Sequence, residues 1–119
     1  MKAMLLVALL VLPLRISAFC DDWRPVDTVM LGTALTLTVL DWNQTLQFRA
    51  HGVHEENRVI GPTPSRGDVN IAISFGMGAE VLAACWLSPS LRPWFLGTVI
   101  AAEAWAVNHN AQIGYAAQF

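Results

Sequence analysis

Three acidic residues stand inside three apolar stretches of the chain: Asp41, Glu80 and Glu103. A carboxylate at bilayer depth costs several kcal/mol, so it faces protein or water and takes a partner. Such residues could serve a proton relay, an ion path, or a metal held by Glu80, Glu103 and a histidine. They could equally tie helices together through hydrogen bonds to Thr38, Gln44, Thr45 and Asn108. The pattern favours the structural role. His51-x-x-His54 has a spacing that suits metal on a helix, but no third ligand lies nearby in sequence. No metal or cofactor is expected. No GxSxG, Walker loop, HExxH or GxGxxG occurs; enzymatic activity is left open, with the balance towards a non-enzyme. The two cysteines, Cys20 and Cys85, form no CxxC. A disulfide between them is one reading; an inert buried thiol at Cys85 is the preferred one.

The elements that must position these groups follow from composition. Of 119 residues, 55% are apolar and 13% charged, against about 25% charged in an average soluble domain. The net charge of −2 comes with no basic cluster, which excludes nucleic-acid binding. A small membrane protein fits best.

Met1 to Ala18 reads as a signal peptide: Lys2, an apolar stretch from Ala3 to Leu14, then a small residue at Ala18. The remainder, 19–119, is expected to be one all-α membrane domain of three helices, or four helices in total if the signal stays attached. The first helix should run from Val26 to about Phe48, with Pro25 in its first turn and Asp27 at the positive end of its dipole. The second should run from Val69 to Leu87, entered through a capping box of Ser65 and Asp68. The third should run from Pro93 to Val107 and on towards Gln112, after a tight hairpin at Ser88-Pro89-Ser90.

Helical spacing puts Ala34, Thr38, Asp41 and Thr45 on one stripe of the first helix. Glu80 shares a face with Ile73, Gly76, Met77 and Ala84. The small residues around it suit close approach of another helix. Glu103 shares a face with Val99, Ile100, Val107 and Asn110. Packed inward, these faces make a compact bundle. Glu80 and Glu103 then lie at similar depth on neighbouring antiparallel helices. They must be neutralised or hold a cation between them, and the neutral state is the preferred reading.

The long polar connection from Arg49 to Asp68 contains Glu55 and Asn57. Asp41, Gln44 and Thr45 are expected to contact it. It also carries Arg49, Arg58 and Arg66, so the positive-inside rule places it in the cytoplasm. The mature N-terminus, Arg24 and Arg92 would then be periplasmic, in a multi-pass inner-membrane protein.

The segment Asp41-Trp42-Asn43-Gln44-Thr45, with Glu55-x-Asn57 and Gly61-x-x-Pro64-Ser65, resembles a family of small, uncharacterised membrane proteins of proteobacterial genomes and prophages. Arg92-Pro93-Trp94, Glu103 and Asn108 also fit that pattern. Arg58 departs from it, standing where proline is usual. The resemblance implies a signal sequence, a polar loop and further hydrophobic helices, and it brings no activity with it. The expected role is structural or interaction-based at the cell envelope. The lipid bilayer is the expected partner, with a homo-oligomer or other envelope proteins left open. The alternative is a small intramembrane enzyme or ion-binding protein using Asp41, Glu55, Asn57, Glu80 and Glu103.

Overall fold

A computed structural model describes residues 20, 22–50 and 65–118, with the side chains of 48–50 left aside. The signal segment 1–18, the histidines at 51 and 54, Glu55 and Asn57 lie outside the described residues. The expected docking of the loop on Asp41 therefore lies outside them too.

The described chain is a bundle of three helices without strands: α1 (Pro25–Ala50), α2 (Arg66–Trp86) and α3 (Arg92–Gln112). α1 packs against both of its neighbours, whereas α2 and α3 touch each other little. Of the three, only α2 meets the length and apolarity criteria for crossing a membrane by composition.

Each helix end has a local cause. At the start of α1, Pro25 takes the first turn, where a missing N–H costs nothing. Asp27 accepts the backbone N–H of Arg24 at 3.0 Å. It therefore caps the helix as well as sitting at its positive end. α2 starts with the expected reciprocal box: Ser65 accepts from the Asp68 N–H, and Asp68 accepts from the Ser65 N–H. The hairpin closes with Leu91 and Arg92 both donating to the Ser88 carbonyl at 3.0 Å. The Ser88 and Ser90 hydroxyls pair across it. α3 ends on Gly114, whose φ of +100° is open to glycine at little cost. Tyr115 N–H returns to Asn110 O and Gly114 N–H to Ala111 O, which satisfies the last carbonyls of the helix.

The interior divides into two zones. Near the hairpin, Cys20, Leu31, Leu35, Ala84 and Leu96 form an apolar cluster, with Trp23, Met30 and Phe95 against it. Further along α1 the buried residues turn polar: Thr38, Gln44 and Thr45 on α1, Glu80 on α2, Asn110 on α3. The Ala34–Thr38–Thr45 stripe thus faces inward as its spacing predicts. The outside is apolar instead. Ile71, Phe75, Leu82, Trp86, Trp94 and Trp105 are all exposed, Trp86 at 87%.

Two expectations about packing need correction. Cys85 is not a free thiol: it is bonded to Cys20 across 65 residues of sequence. Gly76 does not face a neighbour with Glu80; it is exposed, and a Cβ built there or at Gly78 meets nothing within 4 Å. Of the small residues around Glu80, Ala84 is the one in the core, while Gly76, Gly78 and Ala79 face outward.

Candidate functional site

Two polar centres lie inside the bundle. The first surrounds Arg92 at the hairpin end. Arg92 opens α3, and its side chain is 1% exposed. Its Nε donates to the Ala84 carbonyl at 2.6 Å. Its Nη1 donates to Asp27 Oδ2 at 2.9 Å and to the Asp22 carbonyl at 3.2 Å. Its Nη2 donates to the Leu87 carbonyl at 3.0 Å. The Trp23 ring covers the guanidinium, with the ring centroid 4.7 Å from Cζ, an attractive placement for a cation. Asp27 is fully buried and also pairs with Arg24 at 3.0 Å. The hydrogen bond to Asp27 holds the Arg24 guanidinium above its ordinary range. Arg24 reaches on to the Pro89 carbonyl at 2.7 Å. One carboxylate and two guanidiniums therefore join the segment before α1, the end of α2, the hairpin and the start of α3.

Sequence reasoning missed this centre. Arg92 was expected among the periplasmic charges and Asp27 at the helix dipole. The available signal was chemical: an arginine beside a short hairpin needs a partner, and Asp21, Asp22 and Asp27 were the acids at that end of the chain. The disulfide lies in the same region and fastens residue 20 to the end of α2.

The second centre lies deeper. Asn110 Nδ2 donates to Asp41 Oδ1 at 2.8 Å and to Gln44 Oε1 at 3.3 Å. Gln44 Nε2 donates to the Val107 carbonyl at 3.2 Å. Thr45 is buried nearby on α1. Asn110 thus fills the role expected of Asn108, which is exposed. The two residues are about 200° apart around the helix axis, so only one can face inward. Trp42 Nε1 donates to Asn70 Oδ1 at 3.0 Å, joining α1 to the start of α2.

Glu80 and Glu103 complete this centre differently. Glu80 is 8% exposed. Glu80 Oε1 and Glu103 Oε2 are both buried without a hydrogen-bond partner. The charge of Glu103 acts on Glu80, and that of Asp41 acts on Glu103. The Thr38 hydroxyl lies against Glu103 and also within 3.1 Å of the Ala34 carbonyl. Neither glutamate forms an ion pair among the described residues. No group of three or more His, Cys, Asp and Glu is placed to hold a metal ion among the described residues.

Outside the interior, the C-terminal tail runs along the far part of α1. Asn43 donates to the Gln118 carbonyl at 2.6 Å and accepts the Gln118 N–H at 2.8 Å. Gln47 donates to the Ala116 carbonyl. Asn43, part of the Asp41–Thr45 segment, and Gln47, which sequence reasoning did not single out, are thus the anchor of the tail. No protein-family model matches the chain, and no curated protein or solved structure matches it.

Proposed function

We propose that the chain is a small multi-pass protein of the bacterial inner membrane whose role is structural or interaction-based at the cell envelope. The observation that carries this reading is the reversal of polarity. Buried positions hold Asp27, Arg92, Gln44, Thr45, Glu80 and Asn110, while three tryptophans and Phe75 are exposed. In water such an exterior invites association; in lipid it is the ordinary exterior of a bundle. α2 and α3 have 21 residues each, a rise of about 31 Å, close to the hydrocarbon thickness of a bilayer. Trp86 and Trp94 flank the hairpin, where aromatic side chains favour a membrane–water boundary.

The disulfide supports the orientation. Such bonds persist in oxidising compartments, so the end carrying Cys20, Cys85 and the hairpin faces the periplasm. Arg92 does not oppose the positive-inside preference, since its charge is paired with Asp27 inside the bundle. A scaffolding role fits the closure of Asp41 and Gln44 on Asn110. A phage origin rests solely on the resemblance of the Asp41–Thr45 segment.

Expression in a bacterium followed by fractionation tests the reading. The protein should stay in the membrane pellet after a carbonate wash. An alkaline phosphatase fusion after Ser90 should be active, and one within residues 51–64 inactive. Recovery in the soluble fraction overturns the membrane assignment, and the reverse fusion pattern overturns the orientation.

A further inference from the structure

We infer that Asn43 and Gln47 form a docking site for the C-terminal tail of a second copy of this chain, so that two copies join by exchanging tails. The inference goes beyond the scaffold role and does not depend on the membrane, since the bonds concerned lie outside the bundle interior.

The site reads main chain. The Asn43 amide meets one tail residue with both of its groups: Nδ2 donates to the Gln118 carbonyl at 2.6 Å, and Oδ1 accepts the Gln118 N–H at 2.8 Å. Gln47, one turn further along α1, donates from Nε2 to the Ala116 carbonyl at 2.8 Å and to Asn43 Oδ1 at 3.1 Å. The second bond fixes which end of the Asn43 amide accepts. Residues 116 and 118 are alternate positions, which an extended chain presents to one side. All three bonds to the tail use its backbone atoms. The ligand this site is shown to accept is therefore the tail of this chain, and every further copy carries both the tail and the site.

The link to the tail suits exchange. Gly114 N–H returns to Ala111 O and Tyr115 N–H to Asn110 O, so α3 is closed before the arm begins. Gly114 has φ +100° and open space around it, and glycine changes direction there at little cost. The three bonds broken on one copy are remade on the other, the usual economy of a swapped element. From 115 to 118 the arm spans about 10 Å, about one helix diameter, so the second copy must lie directly alongside. Next to the link α3 offers a surface for that contact. Trp105 and Ile113 are 64% and 51% exposed, with Ala101, Ala104 and Ala111 exposed on the same side as Trp105. Such a surface favours a neighbouring bundle in water and, through its small residues, in lipid.

The test uses the full chain in two versions with different affinity tags, co-expressed. One carries photoreactive benzoylphenylalanine at position 118; the other is unaltered. Illumination should join the two tags, and mass spectrometry should place the link on α1 of the second copy, near Asn43 and Gln47. Asn43→Ala/Gln47→Ala in the second copy should abolish this product. Asn43→Asp there keeps the acceptor for the 118 N–H, loses the donor, and should reduce it. Links confined within one copy overturn the exchange. So does an inter-copy link that maps away from α1, or one that persists undiminished in the double variant. If that variant does not fold, the position of the link in the unaltered pair decides alone. Fractionation is read separately, so a failed membrane assignment leaves this outcome standing.

Discussion

The hairpin end and the acidic middle of the bundle solve the same problem, burying charge, with different completeness. At the hairpin end, Arg92 spreads its donors over Asp27 and three backbone carbonyls. Each helix terminus there is tied in by the same few atoms. In the middle, Asn110 serves Asp41 and Gln44, but two glutamate oxygens are left without a donor. A fully satisfied network is rigid and specifies one arrangement; a partly satisfied one carries the cost of each unpaired group. The first region therefore reads as a fastening. The second reads as a place where something can bind or where the bundle can rearrange.

The largest expected effect lies at the fastening. Arg92→Met leaves Asp27 buried without one of its two guanidiniums, and Asp27→Asn leaves Arg92 buried without its counter-ion. Removing one member of a buried pair costs about 3–5 kcal/mol. Denaturation in detergent should show this for each single change. Arg92→Met with Asp27→Leu should cost less than the sum, since neither charge is then stranded. A single variant as stable as the parent would erase the contrast between the two regions.

The disulfide sharpens the comparison next. It closes a loop between positions 65 residues apart, for which a cost of about 2–4 kcal/mol on removal is typical. Cys20→Ser/Cys85→Ser should lower stability by that order. The unaltered protein should change its gel mobility on reduction. If stability is unchanged, Arg92 and Trp23 alone hold the segment before α1.

What was legible in the sequence divides along the same line. Helix bounds followed from apolar runs, from Pro25, from the Ser65–Asp68 spacing and from the hairpin residues, all of which act within a few positions. The inward stripe of α1 followed from its period. Arg92 with Asp27, and Cys20 with Cys85, are contacts across about sixty-five positions, and no local rule connects their ends. Asn108 was named as a partner although Asn110, seven residues after Glu103, already stood on the glutamate's face. Counting the helical period to its end would have chosen correctly. The unpaired oxygens of Glu80 and Glu103 were not legible, since satisfaction depends on side-chain geometry.

The smallest expected effect concerns Asn110, the one amide that brings part of the acidic middle close to the completeness of the hairpin end. Asn110→Leu removes the donor to Asp41 Oδ1 and Gln44 Oε1. Losing a buried partner costs about 1–3 kcal/mol, less than stranding Arg92 because no full charge is left uncompensated by this change alone. Asn110→Asp keeps the shape but replaces the donor with a fourth acid beside Asp41, Glu103 and Glu80. It should be the less stable of the two variants. The order of Tm is then parent, Asn110→Leu, Asn110→Asp. Equal stability of Asn110→Asp and the parent would mean that the middle of the bundle admits water freely. The unpaired oxygens would then be hydrated, and the difference between the two regions would be one of solvent access.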